Sequence, residues 1–146
     1  MKIALASDHA GFELKEAVKN FLTGHDVTDF GTDNSDSMDY PDTGFPAAKA
    51  VASGECERGI LICGSGIGMS IVANKVTGIR AALCQTVQFA ELSRKHNNAN
   101  VLVLSGRFIS RYLAKDIVEA WLTTDFEGGR HQKRLDKINS KKRGEL

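Results

Sequence analysis

Several features that mark secreted, membrane or nucleic-acid-binding proteins are missing from this sequence of 146 residues. Its three cysteines form neither an even set nor a C-x-x-C pair, which argues against a disulfide framework and favours a reducing compartment. No apolar run approaches the ~18 residues of a membrane span, and the N-terminal residues lack the long apolar segment of a signal peptide. We therefore expect a cytoplasmic protein with no membrane partner.

A charge excess is also missing, because 19 Lys and Arg against 18 Asp and Glu leave a formal net charge of +1. Nucleic acids select strongly basic surfaces, so no nucleic-acid partner is expected. The two prolines and the absence of a Pro/Gly-rich linker favour one domain over residues 1–146, and 42% apolar residues can fill its core. Residues 141–146 are expected to be a charged tail.

What the sequence does contain is a regular alternation of short apolar runs with helical patterns. Strands are predicted at residues 3–7, 27–30, 59–63, 79–84 and 101–104. Helices are predicted at residues 14–22, 43–53, from the 64–68 loop to 73, 86–95, 110–122 and 130–140. The second of these would hold Pro46 in its first turn, where no helical hydrogen bond is lost. The alternation predicts an α/β protein with a parallel sheet covered by helices on both faces.

Reactive side chains follow the predicted strands at the points where they end. Asp8 and His9 follow the first strand, Cys63 and Ser65 follow the third, and Arg107 follows the fifth. Ligands of open parallel sheets bind beyond the carboxyl ends of the strands. We therefore expect these five side chains to surround one site.

The sharpest local signal is the segment Cys63-Gly64-Ser65-Gly66-Ile67-Gly68-Met69-Ser70. Its glycines allow a tight turn that gathers amide N–H groups for an anion, and the following helix adds its positive end. Met69 stands where the dinucleotide-binding fingerprint requires its third glycine, so the segment lacks that fingerprint. It also lacks the Gly-Lys-Ser/Thr sequence of a Walker loop. Cys63 can be a thiolate stabilised by these amides or a small buried side chain, and its position alone leaves both interpretations open.

Two further groups lie outside that loop. Arg130 and Arg134 are four residues apart on the last predicted helix, so they lie on the same face of it. They can bind one phosphate together or form a solvated basic face. His96 precedes the fifth strand and belongs near the amino edge of the sheet in its own chain. It is therefore either ordinary surface or a residue that serves the site of a neighbouring subunit.

Six segments in order identify a resemblance that covers nearly the whole chain. They are Ser7-Asp8-His9-Ala10-Gly11, Asp39-Tyr40-Pro41-Asp42, Ile62-Cys63-Gly64-Ser65-Gly66-Ile67-Gly68, Ala73-Asn74-Lys75, Ser93-Arg94-Lys95-His96-Asn97-Asn98-Ala99-Asn100 and Gly128-Gly129-Arg130-His131-Gln132. With them the chain resembles type B ribose-5-phosphate isomerases, which are grouped with the galactose-6-phosphate isomerase subunits. The resemblance implies a three-layer α/β/α Rossmann-like sandwich with a five-stranded parallel sheet. It also implies a homodimer or tetramer with shared active sites, and no metal or organic cofactor.

The resemblance also implies a role for each site residue. Cys63 would be the base, because Met69 stands where part of the family has a glutamate, with Ser65 beside it and His96 opening the sugar ring. The substrate-binding positions implied are Asp8, His9, Tyr40, Gly64, Gly66, Ile67, Gly68, Asn97, Arg107, Arg130 and Arg134.

The function expected from this resemblance is interconversion of D-ribose 5-phosphate and D-ribulose 5-phosphate through a cis-enediolate. One alternative is isomerisation of a six-carbon sugar phosphate such as galactose 6-phosphate or allose 6-phosphate, because one carbon more or less is discriminated weakly. A second alternative is a non-catalytic phosphate-binding module. A receiver-type module would carry an aspartate where Cys63 stands, which argues against this second alternative.

Overall fold

The computed structural model describes residues 1–141. Strands and helices alternate along the chain until two helices end it. The strands are β1 (Lys2–Ser7), β2 (Asp26–Asp29), β3 (Arg58–Cys63), β4 (Ala81–Leu83) and β5 (Val101–Ser105). The helices are α1 (Phe12–Phe21), α2 (Pro41–Ala52), α3 (Ile67–Asn74), α4 (Val87–Asn97), α5 (Arg111–Thr123) and α6 (Arg130–Asn139). Each predicted strand and helix is present.

All strand pairs are parallel, and the five strands lie in the order β2-β1-β3-β5-β4. The strand order reverses between β1 and β3, so the loops after these two strands diverge to opposite sides and leave a crevice. Ser7 pairs with Ile62 across that boundary, and Cys63 pairs with Ser105 on the other side of β3. The residues that follow β1, β3 and β5 therefore meet at one edge of the sheet.

Alternating strand residues divide the core into two layers. On one face, apolar residues including Leu5, Ile62 and Leu104 pack with α1, α4 and α5, where Trp121 is fully buried. On the other face, residues including Ala6 and Cys63 pack with α2 and α3. Helices on both faces of a parallel sheet make the predicted three-layer α/β/α sandwich, and that prediction is confirmed.

Most boundaries differ from the expectation by one or two residues, and two of these differences bear on the fold. Helix α2 begins at Pro41, so Pro46 is its sixth residue and the first-turn position expected for it was wrong. Pro41 takes the first helical position, where its fixed φ fits and its missing N–H costs nothing. Pro46 and Asp42, whose carbonyl loses its helical donor, are both exposed, so water can satisfy that carbonyl. Strand β4 spans only three residues and is an edge strand.

A buried ion pair fixes α1 to the end of β2. The Lys15 side chain has no exposed area, and its Nζ lies 2.7 Å from Oδ2 of Asp29, which also accepts from Lys19. Burial alone would raise the pKa of Asp29. Hydrogen bonds from Lys15, Lys19 and the Gly31 amide outweigh that effect and hold the pKa below its ordinary value.

Across residues 1–141, none of the helices has both the length and the apolar character needed to cross a bilayer. The predicted charged tail falls almost wholly outside the described residues.

Candidate active site

The turn after β1 presents two side chains whose orientation is fixed by backbone amides. Asp8 is buried, and its Oδ1 accepts a hydrogen bond from the Gly11 N–H at 2.9 Å, which helps to start α1. Nδ1 of His9 accepts from the Met38 N–H at 3.2 Å. That bond leaves Nε2 as the protonated nitrogen, so His9 can donate to an anion.

The loop between β3 and α3 carries free donors. Five amide N–H groups have no hydrogen-bond acceptor within residues 1–141: those of Gly64, Ser65, Gly66, Gly68 and Met69. Two others are used inside the loop, because Ile67 donates to Ser65 Oγ at 3.2 Å and Ser70 donates to the Gly66 carbonyl at 3.0 Å. Unused amides at the start of a helix form a concave site for negative charge. The loop therefore suits a phosphate or an oxyanion.

Cys63 stands at the head of this loop and is 4% exposed. Its side chain faces the α2–α3 layer with Ala6 and Met69. The other two cysteines have no such loop, and burial raises the pKa of both the Cys56 and the Cys84 thiols, to about 11 for Cys84. Cys63 is therefore the cysteine whose surroundings include free amide donors.

Two larger side chains frame the loop. A Cβ added to Gly68 would lie 2.7 Å from the Tyr40 ring, and one added to Gly64 would lie 3.4 Å from Nη1 of Arg107. The Arg107 N–H also donates to the Gly64 carbonyl at 3.0 Å. Tyr40 and Arg107 therefore stand over opposite ends of the loop, and a glycine at each end allows this approach.

Met69 occupies a different environment from the loop donors. Its side chain is fully buried, and its Sδ would lie 2.6 Å from a Cβ added to Gly44 of α2. Met69 therefore contributes its amide to the loop, while its side chain packs in the core.

A second cluster lies at the amino edge of the sheet, where α4 ends and α6 begins. The rings of His96 and His131 stack with their centroids 4.3 Å apart and their planes 16° apart. Glu127 donates its N–H to the Lys95 carbonyl, and its Oε2 lies 3.6 Å from Nε2 of His131. His131 is 5% exposed, so the ring of His96 stacks on a buried ring.

Positive charge surrounds that stack. Burial lowers the pKa of His131, and the charges of His96, Arg130 and Arg134 lower it further. Arg107, Arg130 and Arg134 form no ion pair with any carboxylate within residues 1–141. Exposed guanidiniums without a carboxylate partner are suited to bind a phosphate.

His96, Glu127 and His131 also offer three ligand atoms within 4.8 Å of one another. A tetrahedral metal needs lone pairs that converge on one point. Imidazole lone pairs lie in the ring plane, and the two planes here are nearly parallel. The stacked arrangement therefore does not form a metal site without rotation of a ring.

The structure brings the predicted site residues together in two groups. Asp8, His9, Tyr40, Cys63, Ser65, Arg107 and the loop glycines with Ile67 lie at the carboxyl edge, which we call the thiol edge. His96, Asn97, Arg130 and Arg134 lie at the amino edge, which we call the arginine edge. The five residues of β5 separate the two edges by about 17 Å at ~3.3 Å per residue. One chain therefore does not assemble the whole predicted set.

An open cleft adjoins the thiol edge. It has a volume of about 670 Å³ and is lined by residues that include Gly31, Met38 and Thr43. Met38 connects this cleft to His9, because its N–H donates the hydrogen bond to His9 Nδ1 described above. Cys63 does not line this cleft.

The set of site residues predicted from the sequence leaves out two supporting side chains. Ser105 ends β5 beside Cys63, and its Oγ donates to the Ser65 carbonyl at 2.5 Å while accepting from Nε2 of Gln85 at 3.2 Å. The sequence places Ser105 after an apolar strand, at the same edge as Cys63, but gives it no role. His131 could not be identified from the sequence, because its role as a stacking partner depends on how α6 packs against α4.

A doubly wound sheet with a thiol and free amides at its switch point is an arrangement typical of α/β enzymes that act on anionic substrates. The chain matches the Ribose/Galactose Isomerase family over residues 3–138, and it belongs to this family.

Three relatives show how close the match is. Ribose-5-phosphate isomerase B of Escherichia coli is 49% identical over 95% of both chains. D-erythrulose-4-phosphate isomerase of Pectobacterium atrosepticum is 45% identical over 94% of this chain and 93% of its own. The structure of ribose-5-phosphate isomerase B from Mycoplasma genitalium with bound ribulose-5-phosphate superposes with a TM-score of 0.89, at 44% identity over 94% of this chain and 93% of its own.

Proposed function

We propose that this protein is an aldose–ketose isomerase that interconverts D-ribose 5-phosphate and D-ribulose 5-phosphate. The observation that carries the proposal is the set of five free amide donors in the loop that Cys63 opens. Such a set can stabilise the oxyanion of an enediolate. The family and the relatives with this named activity support the same sugar phosphates as substrates.

The reaction can be written with the groups at the thiol edge. The Cys63 thiolate takes the proton from C2 of the open-chain aldose, and the electrons of that bond form the C1–C2 double bond while O1 becomes an oxyanion. The loop amides donate to this oxyanion, and each donor of this kind is worth about 3–4 kcal/mol in other enzymes. Return of the proton to C1 and transfer of the O2 proton to O1 give the ketose.

The arginine edge enters this proposal through a second copy of the chain. Exposed apolar side chains flank the edge strand β4: Ile67 (57%) and Ile71 (53%) one turn apart on α3, and Phe89 (59%) on α4. A two-fold axis running across the strands would bury this face between two copies. It would also set the arginine edge of each copy against the thiol edge of the other, giving two equal sites.

In such a dimer the roles divide between the two chains. His9 and Arg107 of one chain would bind the phosphate together with Arg130 and Arg134 of the partner. The partner's His96 would open the sugar ring as an acid and base. In the same arrangement, Asn97 of the partner would bind sugar oxygens, and Asp8, Tyr40 and Ser65 would position the reacting end.

A coupled isomerase assay with four-, five- and six-carbon aldose phosphates tests the substrate. We expect the highest kcat/KM with D-ribose 5-phosphate, because the phosphate and C2 must reach fixed groups at the same time. A preference for the four- or six-carbon substrate would reassign the physiological sugar. Turnover of none of them would overturn the proposed function.

Mixing two inactive variants tests the shared site. Cys63→Ala and His96→Ala each disable every site of their own homodimer. In a randomly reassembled 1:1 mixture, half of the dimers are mixed and each holds one intact site, so about a quarter of the wild-type sites should return. If the mixture stays as inactive as its parents while forming dimers, Cys63 and His96 act within one chain or His96 has another role.

A further inference from the structure

The end of β5 holds a buried serine that contacts the glycine loop from behind. Ser105 has no exposed area, and it pairs with Cys63 across the strand boundary. Its Oγ lies 2.5 Å from the Ser65 carbonyl oxygen and 3.2 Å from Nε2 of Gln85. Gln85 is exposed and follows the end of β4. Ser105 therefore holds the loop directly, and Gln85 supports Ser105 from beyond the end of β4.

The direction of these hydrogen bonds is fixed by counting protons. A hydroxyl has one proton, and the Ser65 carbonyl can only accept, so Ser105 must donate to it. The Gln85 amide then donates to the free lone pairs of Ser105 Oγ. Each bond polarises the next in such a chain, so Gln85 strengthens the hold of Ser105 on the loop.

This hold sets the direction of one free amide. The carbonyl of Ser65 and the N–H of Gly66 belong to the same trans peptide and point in opposite directions. Because Ser105 draws the carbonyl toward the sheet, the Gly66 N–H points away from the sheet, and it has no acceptor within residues 1–141. Gly66 has a left-handed φ of +81°, and a Cβ there would lie 2.5 Å from Leu83 Cδ1, so the position requires glycine. Because glycine rotates freely, the hydrogen bond from Ser105 is the contact that restrains this peptide.

We propose that Ser105 is a positioning residue for the isomerisation, and that Gln85 supports it. In this inference, which rests on the proposed function, Ser105 fixes the Ser65–Gly66 peptide plane so that the Gly66 N–H is aimed at the enediolate oxyanion beside Cys63. The phosphate lies at the far end of the substrate, so this interaction is gained mainly in the transition state. Loss of the hydroxyl should therefore lower kcat and leave KM nearly unchanged.

The test compares Ser105→Ala with the wild type. Deleting an oxyanion donor outright costs roughly 10²–10³-fold in kcat, so losing only its orientation should cost about 10- to 100-fold, with KM changed less than about 2-fold. A hydroxamate analogue of the enediolate should lose affinity by the same factor as kcat/KM, whereas binding of ribitol 5-phosphate should not change. Ser93→Ala is the matched control, because it removes another buried serine hydroxyl that donates to a backbone carbonyl. This control should keep its kcat.

Gln85→Leu provides a second variant that does not disturb the core, because Gln85 is exposed. We expect a loss of about 3- to 10-fold in kcat in the same direction, since Ser105 keeps its hydroxyl but loses its support. Unchanged kcat in folded Ser105→Ala would overturn the inference, as would equal losses of affinity for both ligands. Unchanged kcat in Gln85→Leu would overturn the part assigned to Gln85. An inactive wild type would instead contradict the proposed function, so the two failures are distinguishable.

Discussion

The two edges of the sheet present different kinds of chemical groups. At the thiol edge, the donors are backbone amides of one loop. A buried hydrogen bond from Ser105 holds this loop, and Gly66 cannot be replaced by a larger residue without a collision. At the arginine edge, Arg130 and Arg134 are exposed and form no ion pair within residues 1–141. We infer that the loop amides and Cys63 of the first edge stabilise the reacting atoms, and that the arginines of the second recognise the phosphate. Damage to the glycine loop should therefore appear in kcat, and loss of an arginine from the arginine edge in KM.

The largest effect that this comparison predicts is that of Cys63→Ala. Removing the base should lower kcat by about 10²–10⁴-fold, because general bases contribute in that range. Binding of ribitol 5-phosphate should persist, since the loop amides and the arginines remain. Substantial residual turnover in the folded variant would remove Cys63 from the base role.

Iodoacetamide labelling gives a matched control within the same chain. Cys63 should be alkylated fastest and should be protected by substrate. Cys56 and Cys84 should react slowly, because burial raises the pKa of both thiols. Slow, substrate-insensitive alkylation of Cys63 would instead favour a non-catalytic phosphate-binding module.

A second prediction concerns a substitution that disturbs the backbone conformation of the thiol edge without removing a side chain. Gly66→Ala should lower both kcat and Tm, because it adds a left-handed residue and a collision with Leu83. Gly54→Ala is the matched control, since Gly54 also has a φ of +81° but has open space around it. The control should lose only the backbone cost of about 1–2 kcal/mol and keep its kcat. Equal kinetics in the two variants would argue against a fixed loop.

A third prediction concerns the arginine edge. Arg134→Ala should raise KM about 10-fold and lower kcat less, because it removes one charge-assisted contact to the phosphate. Lys133→Ala is the control on the same helix, since Lys133 is exposed and has no place in the proposed site. If Arg134→Ala leaves KM at the wild-type value, the phosphate is bound elsewhere.

The smallest expected effect concerns the ion pairs of Asp29, which belong to neither edge and serve as a reference for both. Asp29→Asn should lower the free energy of unfolding at pH 7 by about 1–2 kcal/mol, because it weakens the bonds from Lys15 and Lys19. The pKa of Asp29 is held below its ordinary value of 3.8, so its stabilising contribution is present above that pH and is lost as the pH falls below it. Urea unfolding from pH 7 to pH 3 should therefore show the wild type and the variant converging in acid. Turnover at pH 7 should not change.

Much of the fold could be predicted because each strand and helix leaves a local pattern. The helix of Leu14 and Val18 shows an apolar stripe, and the strand before Cys63 is apolar on both faces, as burial in a parallel sheet requires. Because parallel strands all end at the same edge of a sheet, the sequence also predicts that Asp8 and Cys63 lie at one edge. The start of α2 could not be placed, because Pro41 and Pro46 each fit a first turn locally and only the packing against β1 distinguishes them.

The site was less predictable because its details depend on contacts between distant segments. The hydroxyl of Ser105 meets the carbonyl of Ser65 forty positions earlier in the chain, and nothing in either local sequence indicates that bond. The stack of His96 on His131 likewise depends on the docking of α6. The separation of the thiol and arginine edges was foreseen for His96 from its place before β5. For Arg130 and Arg134, it follows only from the packing of α6 against α4, which the stack of His96 on His131 shows.

The donors of the glycine loop are main-chain groups, and this has a consequence for any mutational scan of the protein. No exchange of a side chain deletes an amide N–H, except a change to proline. Inactivating substitutions should therefore act by displacing the anion-binding atoms and not by removing them. A map of intolerant positions would mark the glycines that bring the loop close to its neighbours, together with the side chain of Ser105 that holds it.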